Sequence, residues 1–103
     1  MVDVQILIPV AGNDGMPFAD AHFAIFEERA RADFGGCSLL PGTVFGSWRN
    51  ADGAVFHDES RLYSVFLVSL TDGGKLGDLV EFAKGHFAQE AIAIRYLGLT
   101  EIL

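Results

Sequence analysis

The hydrophobic pattern of this chain changes period in a set order, and that order limits the folds open to it. Val2, Val4, Ile6, Ile8 and Val10 alternate with Asp3, Gln5, Leu7 and Pro9. A period of two marks a strand with one strongly apolar face. Gly12-Asn13-Asp14-Gly15 reads as a loop, and Pro17 suits the first turn of a following helix. In that helix Phe23, Phe26, Ala30 and Phe34 stand three, four and four residues apart, the stripe of an amphipathic helix. Gly35-Gly36 follows at once. Gly35 fits the left-handed position that ends many helices, where a Cβ would clash.

The period then returns to two. Residues 38–49 read as extended, with a break at Pro41-Gly42, and Asn50-Ala51-Asp52-Gly53 turns the chain back into Ala54-Val55-Phe56-His57. The run 62–70 is the strongest strand signal. Tyr63, Val65 and Leu67 face one way and Phe66, Val68 and Leu70 the other. Apolarity on both sides marks a central strand covered on both faces. Thr71-Asp72-Gly73-Gly74 offers a turn and a helix cap, and Leu76, Leu79, Val80, Ala83 and Phe87 form a second helical stripe. Residues 91–97 alternate again as a last strand.

The order is βαββαβ. It predicts an α+β fold of the ferredoxin-like plan, a four-stranded antiparallel sheet with two helices on one face and an extra hairpin around 44–57. At 103 residues the chain suits a single domain, residues 1–103. Right-handed crossovers put both helices on the same side and leave the other sheet face open, where Gln5, Leu7 and Leu67 are expected. Phe18, Ala21, Ile25 and Ala32 also give the first helix a second apolar side. An apolar open face together with a two-sided helix predicts a homo-oligomer, most simply a two-fold dimer.

Composition excludes several function classes. Fourteen acidic and seven basic residues give a formal charge of −7, and the basic residues are scattered. No patch could neutralise a row of phosphates, so neither nucleic acid nor an anionic membrane is an expected partner. No apolar run approaches the roughly 20 residues of a membrane-spanning helix. Met1-Val2-Asp3-Val4 lacks the basic start of a signal peptide, and cytoplasmic residence is expected. A single cysteine, Cys37, permits no internal disulfide and no multi-cysteine zinc site. No metal and no cofactor are expected.

Most chemical motifs fail on spacing. His57-Asp58-Glu59 contains the H-x-E of zinc deaminases without the downstream P-C-x-x-C. The loop at 12–15 lacks the spacing of a phosphate loop. Cys37 follows a helix C-terminus, where the dipole disfavours a thiolate. His86 suits a packing or dipole role in the last helical turn, and His22 lies between the two apolar sides of its helix. His57 is the best chemical candidate, because Asp58 beside it could orient the imidazole for acid-base work. A solvated loop is the plainer reading of those charges. Trp48 precedes the turn and is expected to reach the same region as His57, as a core cap or a pocket wall. Arg95, if it faces the open side of the sheet, would need a carboxylate partner, with Asp3 the first candidate and Glu90 the second. Gln89-Glu90 suits the junction between the last helix and the last strand, where free backbone groups need partners.

Phe23, Phe26-Glu27, Phe34-Gly35-Gly36, Pro41-Gly42, Gly46-Ser47-Trp48, Asp58, and Phe87 with Gln89-Glu90-Ala91 together form a pattern over most of the chain. It resembles that of a group of small uncharacterised bacterial proteins: F-G-G, a P-G turn, G-x-W and a closing F-x-Q-E. The resemblance implies a ferredoxin-like fold and brings no activity with it. Two functional expectations remain. The first is a small acidic homodimeric binding module for a small molecule or a protein. The alternative is a cofactor-free enzyme with a pocket at the sheet face or dimer interface, like the dimeric α+β-barrel enzymes, using His57, Asp58 and Arg95 with Trp48 and Tyr63 as binding residues.

Overall fold

The computed structural model describes residues 2–69 and 72–97. Seven elements follow in the order β1 (Val2–Pro9), α1 (Asp20–Phe34), β2 (Ser38–Leu39), β3 (Val44–Arg49), β4 (Val55–Leu67), α2 (Asp72–His86) and β5 (Ala93–Leu97). β1 lies at the centre of the sheet. It pairs antiparallel with β4, from Val2 opposite Leu67 to Pro9 opposite Ser60. On its other side it pairs antiparallel with β5, from Asp3 opposite Leu97 to Leu7 opposite Ala93.

The far edge of β4 is shared by β2 and β3. The Leu40 N–H donates to the Leu62 carbonyl at 2.9 Å, so β2 and β3 are one strand position interrupted at residues 40–43. Gly42 has φ +74° within that break, a conformation that favours glycine. The resulting order, β2/β3–β4–β1–β5, is the ferredoxin-like arrangement expected from the sequence.

Alternation in β1 places Val4, Ile6 and Ile8, each with no exposed surface, against the helices. Across from them stand Val65 and Tyr63, which share their face because directly opposed residues in an antiparallel pair point the same way. From above, Phe23, Phe26 and Ala30 of α1 and Leu76, Leu79 and Ala83 of α2 close the core. Phe87, just past α2, is fully buried. Its ring meets those of Phe18, Phe23 and Phe26 with centroids 5.2, 5.4 and 6.0 Å apart. Gly35 ends α1 with φ +78°, and its N–H donates to the Arg31 carbonyl at 2.8 Å.

Several expectations give way to the tertiary structure. Residues 55–57 and the central strand form one thirteen-residue strand, so His57, Asp58 and Glu59 lie in β4 and not in a loop. Leu67 stands opposite Val2 and packs against the core on the helix side, not on the open face. Pro17 does not open the helix. It pairs with Ala11 across the loop, whose turn is closed by Gly12 N–H to Met16 O at 2.9 Å. Phe18 packs at the edge of the core, while Ile25, 52 % exposed, faces outward. Leu70 and Thr71, expected at a strand end and a helix cap, lie outside the described residues. Asp72 caps in the reverse sense: its carboxylate accepts from the N–H groups of Val68 and Ser69 at 2.8 and 3.3 Å.

Candidate functional site: a groove on the open sheet face

β4 runs five residues beyond its last pair with β1, and over those residues its only strand partner is β3. The hairpin so formed extends past the last β1–β4 pair. Its turn is held by the side chain of Asn50, whose Oδ1 accepts from the N–H groups of Asp52 and Ala54 at 3.0 Å each. That turn sets the register, with Trp48 opposite Phe56 and Ser47 opposite His57. The face carrying Leu7, Leu62 and Ser60 near the sheet centre continues outward through Asp58, Phe56 and Trp48.

The hairpin forms one wall of a groove of about 930 Å³ on the face that the helices leave uncovered. Its floor is Leu7, Pro9, Val44 and Ser60, and its opposite wall is the segment from Gln89 into β5, with Arg95 and Asn13. On the hairpin wall the rings of Trp48 and Phe56 stack with centroids 4.7 Å apart and planes 21° from parallel. The Trp48 Nε1–H donates to Asp58 Oδ2 at 2.6 Å, a charge-assisted bond that holds the indole and the carboxylate together. Even so, Trp48 is 53 % exposed. A large flat ring fixed in place and open to water can still bury surface by contact with another molecule.

The opposite wall is positioned by the end of α2. Ala88 adopts φ +52°, and the Gln89 N–H reaches back to the Lys84 carbonyl at 2.9 Å. The Gln89 side chain donates to Phe87 O at 3.1 Å, the backbone-satisfying role expected of it. Glu90, by contrast, has no ion pair or hydrogen bond among the described residues and stands on the groove wall. Asn13 is tied to the start of this wall by its side-chain N–H, which donates to the Ala88 carbonyl at 3.4 Å.

The sequence-derived candidates separate accordingly. Asp58, Trp48 and Arg95 line the groove. His57 does not. It is next to Asp58 in sequence, but neighbouring strand residues point to opposite faces, so the imidazole is set against Ser47 on the other side of the hairpin. An Asp58-oriented His57 is therefore not formed, nor do Trp48 and His57 meet. Tyr63 is fully buried on the helix side, where its hydroxyl donates to Glu27 Oε2 at 2.6 Å. Arg61 lies beside that bond, 3.8 Å from Glu27 and 3.2 Å from Asp20, with its guanidinium 3.8 Å above the Phe23 ring. Burial first, and then the hydrogen bond to Glu27, push the Tyr63 phenol well above the usual tyrosine range. This is the setting of a structural tyrosine.

Arg95 has no ion pair among the described residues, and its expected partner Asp3 instead accepts from the Ser64 hydroxyl at 2.5 Å. Cys37 is half-buried, and burial, with the nearby Glu27 carboxylate second, pushes its thiol up to about 11. Its weak nucleophilicity was expected from the helix end, but desolvation is the larger cause. Phe56 and Glu90 were missed as groove residues. Counting the hairpin register outward from the Asn50 turn identifies Phe56 as the partner of Trp48.

His22 and His86 form a second feature that the sequence did not announce. Their rings stack at 3.8 Å, and each Nε2–H donates to the other residue's carbonyl, at 2.6 and 2.7 Å. Phe18 and Phe82 extend the stack at either end. With both ε nitrogens engaged on backbone oxygens, the pair joins α1 to α2. No group of three or more metal-ligating side chains occurs among the described residues. No helix of the described residues is long and apolar enough to cross a membrane.

No protein-family model matches the chain, and no curated protein does. Solved structures do. A phage SAM lyase in complex with S-methyl-5'-thioadenosine superposes with a TM-score of 0.69 at 16% identity, over 92% of this chain and 78% of that one. A phage SAM lyase in the apo state gives 0.68 at 15% identity, with the same coverage. At such identities the similarity establishes a shared α+β fold that spans nearly the whole chain.

Proposed function

We propose that this protein is a small-molecule-binding module whose ligand presents a flat ring to Trp48 on the open face of the sheet. The observation that carries the reading is the pinned, half-exposed Trp48–Phe56 stack at a groove large enough for a ligand of nucleoside size. The solved neighbour bound to S-methyl-5'-thioadenosine makes that compound the first to test. The functional unit is a homodimer, a reading supported by Ile25 and Phe66, each half-exposed on surfaces of the single chain. A lone Cys37 without a disulfide suits a reducing cytoplasm.

Trp48 is the only tryptophan and reports directly on its own site. Titration with S-methyl-5'-thioadenosine, adenosine and other flat heterocycles should change its emission saturably, with matching heat in calorimetry. Trp48→Ala should remove the heat. If no such compound binds up to millimolar concentration, the reading is wrong. Catalysis is a second reading, favoured by the lyase among the structural neighbours and by Asp58, Glu90 and Arg95 sharing one groove. It predicts conversion of SAM detectable by mass spectrometry and lost in Asp58→Asn. An unchanged substrate after prolonged incubation with saturating protein leaves the binding module alone.

A further inference from the structure

We infer that the ligand of this groove is an organic cation, with its positive charge in the ring stacked on Trp48 or one bond from it. The inference rests on the reading that the groove takes a ring-bearing small molecule, and it adds the charge of that molecule. Three observations lead to it. First, Asp58 is held beside the indole by the Trp48 N–H through one oxygen, so its negative charge stays at the edge of the stacking surface. Second, Glu90 lines the facing wall and has no cationic partner among the described residues. Third, the ring surface beside Asp58 is that of tryptophan, the aromatic side chain that attracts cations most strongly.

Arg95 is the single basic residue among those lining the groove, and the register sets its backbone well away from Asp58. Arg95 stands level with Gln5, and Gln5 with Ser64. Asp58 lies six residues further along β4, or roughly 20 Å at the rise of an extended strand. That exceeds the screening length of about 8 Å at physiological ionic strength. The formal charge of −7 adds a field of the same sign as the two carboxylates. A phosphate or carboxylate ring substituent at Trp48 would meet the Asp58 carboxylate, with no basic residue lining the groove beside it. A sulfonium, a pyridinium or a quaternary ammonium would meet a ring face and two carboxylates.

The test uses two probes of nearly the same shape, 1-methylnicotinamide, a permanent cation, and nicotinamide, its neutral counterpart. Both are titrated against the full chain with Trp48 emission and calorimetry as readouts, and S-methyl-5'-thioadenosine serves as a neutral third arm. The cation should bind about tenfold more tightly than nicotinamide. That preference should fall with added salt and shrink in Asp58→Asn and Glu90→Gln. Asparagine still offers an oxygen to the Trp48 N–H, so Asp58→Asn removes charge without freeing the indole, and far-UV dichroism should show the fold intact. Equal affinity for the two nicotinamides, or a preference unchanged in both variants, overturns the cationic ligand while ring binding survives. Binding of the neutral thioadenosine alone has the same meaning. Failure of all three compounds to bind removes the ring-binding reading as well.

Discussion

Replacing Tyr63 by phenylalanine isolates one polar atom in the core. The ring is fully buried between the sheet and α1, and the Phe26 ring lies 5.0 Å from it. Phenylalanine keeps those contacts and removes only the hydroxyl. That hydroxyl donates to Glu27 at 2.6 Å, a bond to a charged acceptor, and such bonds contribute about 1.5–3 kcal/mol. Two features of the site place the cost near the lower end. The Glu27 side chain is 28% exposed and can recover water, and Arg61 remains 3.8 Å from its carboxylate. Tyr63→Phe should therefore destabilise by about 1.5–2 kcal/mol. Urea unfolding followed by far-UV dichroism should show the midpoint falling with an unchanged slope.

The same variant should alter the alkaline limb of stability. The folded-state phenol titrates above its unfolded value, so its contribution is complete below the ordinary tyrosine range and is lost as pH rises through and above about 10. Tyr63→Phe should flatten that loss. In a double-mutant cycle with Glu27→Gln, the two effects should fall short of additivity, because both remove the same bond. A Tyr63→Phe protein as stable as the parent, with the parent's alkaline dependence, would refute the argument that this bond stabilises the fold.

Other expectations follow from the same contacts. Phe87→Ala removes the ring on which Phe18, Phe23 and Phe26 converge and should cost about 3–5 kcal/mol, visible as a large drop in thermal midpoint. Cys37, with its thiol near 11, should alkylate slowly with iodoacetamide at neutral pH and accelerate only as pH approaches that value. Reaction at the rate of an unshifted thiol would contradict its desolvation. Asp72→Asn should lower stability at neutral pH and flatten the acid limb. The bonds from Val68 and Ser69, more than the ammonium of Lys75, hold this carboxyl below its usual range, so its contribution is present above the unfolded value and lost as pH falls. An acid limb that does not change in the variant would contradict that assignment.

The architecture was legible because local rules and global packing agree in it. Alternation in β1, the Phe23–Phe26–Ala30–Phe34 stripe and the Gly35 stop are each local patterns that admit one good solution. Arg95 and Trp48 were found because an unpaired cation on the last strand and a lone tryptophan beside a turn are conspicuous as residue types. The errors at the site have a common cause. His57 stands out by its chemistry, and Asp58 reads as its partner because the two are adjacent in the chain. In a strand, adjacency separates side chains by the thickness of the sheet, and a displacement of one residue exchanges the faces.

The sequence by itself therefore determined the element order, the core-facing residues of both helices and the absence of a basic surface. Those depend on period and composition, which are properties of the chain alone. Only the tertiary structure decided that Asp58 partners Trp48 instead of His57, that Tyr63 is sealed against Glu27, and that His22 and His86 clasp across two helices. Each of these depends on strand register or helix packing between residues at least ten positions apart. The groove has the same origin, since β4 outruns β1 and the chain after α2 carries Glu90 into the same groove as Asp58.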